Sequence, residues 1–372
     1  MKPYVLGIKN NPILLQYLSK YEDLLLKKMK ELVNDIEVWK YISYIVDNVD
    51  KEDLRNYYIH PDVSSIVNAL YNKHIWKVDS QIDYIWYKNI LIEDIKAFQN
   101  GWILIQNKWK KIPGTNILLS TDVANPFGDK WAHPDHKKNW GQIGYWEKNE
   151  EDWLNIYKKT FELLKKVDEW FNDELNYIIK KIIPFGTAYS LHNSASYKET
   201  IGALYMWYTI DSQYPEINNL EAIIHESSHN KLNLIMQFDD IILNNYDLKY
   251  YSPYRPDARH IHWIYLWVHA FAPTMYILAK AYNEWTIPDT PLWREKIVLY
   301  HIKNKISIKV LLKYAKLTQL WTKILNEINE VIKMTNIYIW KMNLSENEIH
   351  QVSLIAKQHF NEVNLNYRHL EY

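Results

Sequence analysis

The chain has 372 residues, of which 48% are apolar and 24% charged, so it can bury a sizeable core and is not expected to be disordered. Its 44 basic residues balance its 44 acidic residues, which leaves no electrostatic reason to bind nucleic acid non-specifically. Cysteine does not occur, which excludes disulfides, thiolate metal sites and cysteine nucleophiles and fits a reducing cytoplasm.

The ends and the composition of the chain carry no signal for secretion or for a membrane. The first residues lack the apolar stretch and the small-residue cleavage site of a signal peptide. No window approaches the roughly twenty apolar residues of a membrane span. We therefore expect a cytoplasmic protein that binds neither membrane nor nucleic acid.

The N-terminal part of the chain predicts helices followed by a loop region. Apolar residues recur at spacings of three and four over 12–47 and again over 62–96, which is typical of amphipathic helices. Proline and glycine then interrupt the pattern over 112–142. No linker or repeat divides the chain, so we expect one unit with a helical N-terminal region at 1–110, a central core at 111–285 and a helical C-terminal region at 286–372.

The middle of the chain changes from helical to strand periodicity. A long amphipathic helix is predicted over 150–182, ending before Pro184 and Gly186. The β-branched and aromatic runs at 186–190 and 200–209 predict two strands.

The rest of the chain predicts helices. One spans about 220–236, with Asn218 or Asn219 as its N-cap, a second spans 261–283, and most of 290–372 is helical. The expected fold is therefore α+β, predominantly α-helical, with a small β-sheet next to the helix at 220–236.

That helix carries an HExxH motif, written HESSH at 225–229. His225 and His229 are four residues apart, so on a helix they project from one face and can close on one metal ion. Imidazole nitrogens suit Zn²⁺ and Fe²⁺ alike. The alternative is an exposed polar helix face without a metal.

A third ligand is expected from the next helix. His262 and His269 are seven residues apart and share a face of the helix at 261–283. We favour His269 as the third ligand and keep His262 as the alternative.

The motif also occurs in zinc metallopeptidases, where the glutamate, here Glu226, acts as general base. Leu232 and Ile235 occupy the positions of the glycine and histidine that continue the metzincin pattern, which excludes that class. No glutamate lies between Glu226 and Glu284 to serve as a downstream ligand, which weakens the peptidase hypothesis further.

Two arginines precede the second helix in the segment RPDAR. Arg255 and Arg259 could hold a carboxylate of a ligand in a bidentate manner beside the metal. The alternative is a salt bridge to Asp257 or to the acidic pair at 239–240.

These segments together resemble a known enzyme family. The runs AIIHESSHNKLNLI at 222–235, YYSPYRPDAR at 250–259 and VHAF at 268–271 are similar to the HExxH-type 2-oxoglutarate-dependent peptide β-hydroxylases, which modify ribosomally made peptides. SASYKETIGALYMW at 194–207 looks like the strand that precedes the motif in that family, and STDVANPFGDKW at 120–131 is a looser match.

The resemblance implies Fe(II) as the metal, held by His225, His229 and His269. It also implies Arg255 and Arg259 as the residues that hold the distal carboxylate of 2-oxoglutarate, and a precursor peptide as substrate. Such a site does not need Glu226 as a base, so that residue would act structurally. A zinc metallopeptidase remains the alternative. A second alternative is a non-catalytic peptide-binding protein that uses its many tyrosines and tryptophans.

Two further features have simpler interpretations. HPDH at 133–136 could chelate a metal, but a loop exposed over the site is the simpler expectation. The lysines at positions 303, 305, 309, 313 and 316 could attract an acidic leader peptide, although a solvated helix face is expected.

Overall fold

The protein is described here from a computed structural model, which covers residues 11–31, 110–119, 150–185, 194–207 except position 199, and 213–366. Single described residues are 3, 6, 7, 61, 64, 67, 68 and 71. The remainder of the helix predicted over 12–47, most of that over 62–96, the strand at 186–190 and the HPDH segment lie outside the described residues.

Helices dominate the described residues, which confirms the predicted fold class. They are α1 Pro12–Glu31, α2 Glu150–Val167, α3 Glu169–Ile178, α4 Pro215–Ile235, α5 Ile261–Asn283, α6 Pro291–Tyr314, α7 Gln319–Lys341 and α8 Glu346–Asn366. The helix predicted over 261–283 has the bounds of α5, and α6 to α8 confirm the helical C-terminal region.

A small mixed sheet accompanies the helices. Its strands are β1 Lys110–Lys111, β2 Leu118–Leu119, β3 Lys181–Phe185, β4 Ser194–Ala195 and β5 Ala203–Trp207. The strand order is β1-β2-β3-β5-β4, with β3 parallel to both of its neighbours and the outer pairs antiparallel. The strand predicted over 200–209 is confirmed as β5, which precedes α4 in the sequence.

The prediction of a single helix over 150–182 is wrong, because the segment forms two helices and a strand. The Asp168 carboxylate accepts a hydrogen bond of 3.0 Å from the backbone N–H of Phe171, which is the N-cap geometry that begins a second helix. That helix ends at Ile178, and the segment 181–185 forms β3 instead. Pro184 is tolerated in a strand because β2 pairs with β3 only at 181–182, so no ladder hydrogen bond to β2 is lost.

The loop predicted over 112–142 begins with a hairpin. The Ile112 N–H donates to the Ile117 carbonyl at 2.9 Å, and β1 and β2 flank this turn. Gly114 has φ +80°, a left-handed conformation that favours glycine. Strands of two residues are too short to show a periodicity of two, which explains why the sequence pattern missed them.

Helix α4 starts earlier than predicted, and the predicted caps at Asn218 and Asn219 are wrong. Pro215 is its first residue, a position where the missing N–H of proline has no cost. The Asn219 side chain donates 2.8 Å to the Pro215 carbonyl, inside the first turn rather than before it.

Contacts group the chain into two compact units. One contains 1–11, 162–174 and 223–372, and the other contains 12–161 and 175–222. The division runs through α2, α3 and α4, and the prediction of one unit over 1–372 stays a prediction. None of the described helices is long and apolar enough to span a membrane.

A buried histidine on α6 makes the stability of the fold sensitive to pH. His301 is 5% exposed and its Nε2 lies 2.8 Å from the Asn336 Oδ1. Burial lowers the pKa of His301 to about 4, so below the unfolded pKa of about 6.5 the unfolded state takes up a proton that the folded state refuses. Stability is therefore lost as pH falls from about 6.5 towards about 4.

We expect the wild type to lose about 2 kcal/mol more unfolding free energy than His301→Gln when the pH is lowered from about 7 to about 5. Urea unfolding of both proteins at the two pH values measures this difference. Equal losses in the two proteins would contradict it.

Candidate metal centre

The two motif histidines converge at a single point beside α4. Their Nε2 atoms lie 3.1 Å apart, and their rings meet edge to face with centroids 4.6 Å apart. Two imidazoles on one ion, with bonds of about 2.1 Å, have nitrogens about 3.0 Å apart at a right angle and about 3.4 Å apart at a tetrahedral angle. The separation also suits a hydrogen bond between neutral imidazoles. The rings therefore fit two adjacent positions of one metal ion.

The neighbouring residues of the motif fix this face of the helix. The hydroxyls of Ser227 and Ser228 both donate to the Ile224 carbonyl, at 3.0 and 2.7 Å, and both serines are fully buried. Because their polar groups are satisfied within the helix, this side can pack against the core. His225 and His229 are left partly exposed, so an exchangeable ligand could reach a metal bound between them.

Both histidines are held neutral. Burial, reinforced by His229 and His269, lowers the pKa of His225 well below its ordinary value. Burial likewise lowers the pKa of His229 to about 4. A neutral imidazole keeps the lone pair that a metal ligand needs, so the pair is ready to bind a cation near pH 7.

Aromatic rings line the histidine pair. We call the set Tyr254, Trp267, Phe271 and Tyr300 the aromatic wall. His225 lies 4.5 Å from Phe271 and 5.7 Å from Trp267, between ring centroids. Tyr254 stacks on Phe271 at 4.3 Å, with 4° between the ring planes, and Tyr300 meets Phe271 at 4.8 Å. The wall therefore makes a largely apolar surface beside the two imidazoles.

The two predicted arginines differ in their partners. Arg255 lies with its guanidinium carbon 5.8 Å from the ring centroid of Trp267, and no carboxylate of the described residues pairs with it. Arg259 has its Nε 2.9 Å from the Asp257 Oδ2, although the two groups are not aligned for a hydrogen bond. Arg255 is therefore the better placed of the two to receive a carboxylate from a ligand.

The two candidates for the third ligand have different surroundings. His269 is fully buried, and burial together with the charges of Lys231 and His229 lowers its pKa. The pKa of His262 is lowered to about 4 by burial and by His260, not by the motif histidines. His269 is thus the one in electrostatic range of the pair. Within the described segments, however, no three histidine, aspartate or glutamate side chains are grouped to hold a metal.

Two further residues lie near the site, Glu226 and Lys303. Glu226, the possible general base, is 6% exposed. Lys303 departs from the expected solvated lysine face, because it is half-buried with its Nζ 5.5 Å from the ring centroid of Tyr254. The other lysines of that series, at 305, 309, 313 and 316, are exposed as expected.

The aromatic wall was not predicted from the sequence. The one available signal was the spacing of Trp267 and Phe271, four apart on α5, which places both on one helix face. No protein-family model matches the chain, and no curated protein is similar to it.

Proposed function

We propose that this protein is an Fe(II)- and 2-oxoglutarate-dependent oxygenase that hydroxylates a side-chain β-carbon of a ribosomally made peptide. One observation carries the proposal: two neutral imidazoles with their Nε2 atoms 3.1 Å apart share an aromatic wall with an arginine that no described carboxylate neutralises. A metal-binding pair and a carboxylate-binding cation are the two groups that such a reaction requires.

In this proposal His225 and His229 would hold the iron, and His269 would have to join them as the third ligand, because the described residues do not already group three such side chains. Iron with 2-oxoglutarate and dioxygen supplies the oxidation of an unactivated C–H bond, giving the hydroxylated peptide, succinate and carbon dioxide. Three protein ligands leave the remaining positions open for the co-substrate. The partial exposure of His225 and His229 gives that co-substrate access.

Arg255 would hold the distal carboxylate of 2-oxoglutarate. Its guanidinium lies over Trp267, whose ring is 5.7 Å from that of His225, so one ligand can bridge the arginine and the pair. Packing over an aromatic face fixes the guanidinium plane and reduces its hydration, which strengthens a bidentate contact. Arg259, close to Asp257, would contribute less than Arg255.

The aromatic wall would exclude water and contact the peptide. Tyr254 is held in place because its hydroxyl donates to the Asn304 Oδ1 at 2.7 Å. Its ring and those of Phe271 and Trp267 present apolar area next to the metal position. Exclusion of water protects a strongly oxidising centre, and rigid rings bind a peptide with little loss of conformational entropy.

The test is reconstitution with iron under anaerobic conditions. We expect one equivalent of Fe(II) to bind, and a visible charge-transfer band to develop when 2-oxoglutarate is added. On admission of dioxygen, succinate should form, and a cognate precursor peptide should gain the mass of one oxygen atom. A protein that retains zinc but not iron, and that gives no band and no succinate, would refute the proposal.

Glu226→Gln separates the oxygenase from the zinc peptidase. In an oxygenase the glutamate has no proton to transfer, so we expect iron content and 2-oxoglutarate binding within about twofold of wild type. In a zinc peptidase the same change would abolish peptide hydrolysis while zinc remained bound. Metal analysis, 2-oxoglutarate titration and a peptide-cleavage assay on both proteins decide between the two.

A further inference from the structure

Lys303 is a half-buried cation that has no counterion among the described residues. It lies on α6, no acidic side chain among the described residues pairs with it, and burial lowers its pKa. Its one close contact of note is the face of the Tyr254 ring, 5.5 Å from the Nζ. An ammonium group that has lost water without gaining a carboxylate destabilises the protein unless a ligand compensates for it.

The contacts of Tyr254 connect Lys303 to the histidine pair. Tyr254 stacks on Phe271 at 4.3 Å between centroids, and Phe271 lies 4.5 Å from His225. Lys303 is thus separated from the candidate metal position by two rings of the aromatic wall.

Arg255 is a second cation that lies against the aromatic wall. It follows Tyr254 in the chain and lies over Trp267, whose ring stacks at 6.1 Å on that of Tyr254. His359 is near both cations: burial and then the charge of Lys303 lower its pKa, while a hydrogen bond with the backbone of Arg255 raises it. Two described carboxylates lie in this region: Glu362, whose charge raises the pKa of His359, and Asp257, which lies against Arg259.

We propose that Lys303 binds a carboxylate of a ligand that lies along the aromatic wall. The carboxylate would belong either to a free dicarboxylate such as 2-oxoglutarate, shared with Arg255, or to an acidic side chain of the peptide. An ammonium that is partly shielded from water binds a carboxylate through a charge-assisted hydrogen bond, which is stronger than one between neutral groups. The placement of this ligand beside a metal depends on the proposed function, whereas the carboxylate site itself does not.

The test uses Lys303→Met with Lys305→Met as the matched control, an exposed lysine on the same helix. The probes are glutarate, which has two carboxylates but no 2-oxo group to chelate iron, and aspartate blocked as its N-acetyl amide. Titration of metal-free protein by calorimetry or ligand-observed NMR gives the dissociation constants. We expect Lys303→Met to weaken at least one probe by about tenfold, Lys303→Arg to retain most of the binding, and Lys305→Met to change neither probe.

The probe that responds identifies the source of the carboxylate. A loss confined to glutarate assigns Lys303 to the co-substrate, and a loss confined to blocked aspartate assigns it to the peptide. Wild type that binds neither probe, or that binds both as Lys303→Met does, would overturn the proposal. Because neither probe needs iron, this result is independent of whether the protein binds iron, which is measured separately.

Thermal unfolding provides a second readout that a purely structural lysine would not give. Removing a half-buried charge that pairs with no described carboxylate should raise the Tm of the free protein, since methionine keeps most of the apolar stem. Glutarate should then raise the Tm of wild type and not that of Lys303→Met. A lower Tm of the free variant, with an unchanged response to glutarate, would assign Lys303 to packing and refute the ligand site.

Discussion

His229→Ala is expected to abolish stoichiometric iron binding and to lower succinate formation by at least about a thousandfold. The change removes one of the two Nε2 atoms that lie 3.1 Å apart at the metal position, so His225 and His269 would be left without the third protein ligand that the proposed iron site requires. Iron content after gel filtration, followed by the rate of succinate formation, measures both losses.

The control for this prediction is His350→Ala, an exposed histidine on α8 that should leave iron content and rate unchanged. Comparison of His269→Ala with His262→Ala then tests the third ligand, because only the former should reduce iron affinity. Circular dichroism is needed alongside, since His269 is fully buried and its loss also affects packing. If His229→Ala retained iron at the wild-type level, the proposed metal centre at His225 and His229 would be wrong.

The sequence predicted the helices best where their pattern is long and their ends are marked. Helix α5 matched its predicted bounds because a segment of 23 mostly apolar residues begins directly after the cap residue His260. The prediction that the helix continues to residue 182 was wrong for the opposite reason, because the segment 181–185 is short and its end is not marked. A short apolar run cannot be distinguished from the end of an amphipathic helix by periodicity, and its pairing with β5 decides its conformation.

In the candidate site, too, the sequence predicts the local features and misses the contacts between distant segments. The convergence of His225 and His229 is a local property of a helix and follows from a spacing of four. The aromatic wall requires the segment around Tyr254 to fold back on α5, where Tyr250 and Arg259 form an isolated β-bridge. Lys303 lies on yet another helix, and its burial depends on the packing of α6 rather than on its charge pattern. Contacts between distant segments of this kind leave no periodic signal.

A buried ion pair next to the motif is expected to be important for the stability of the protein. The Lys231 Nζ lies 2.7 Å from the Glu174 Oε1, with side-chain exposures of 1% and 3%, and Asn11 donates to the other carboxylate oxygen at 2.9 Å. Lys231 is on α4, two residues after His229, and Glu174 is on α3. Glu174→Ala leaves the ammonium buried without its carboxylate and should cost about 3–5 kcal/mol of unfolding free energy.

The matched control is an ion pair of the same length at the surface. Lys333 and Glu330 on α7 also lie 2.7 Å apart, but their side chains are 59% and 58% exposed, so Glu330→Ala should cost less than about 1 kcal/mol. Denaturant unfolding of the two variants compares the loss of a buried ion pair with the loss of an exposed ion pair of the same length. The double variant Glu174→Leu/Lys231→Met should recover most of the stability, because an apolar pair leaves no charge uncompensated. If Glu174→Ala proved no more costly than Glu330→Ala, the pair would not anchor α4, and the orientation of His229 would depend on other contacts of that helix.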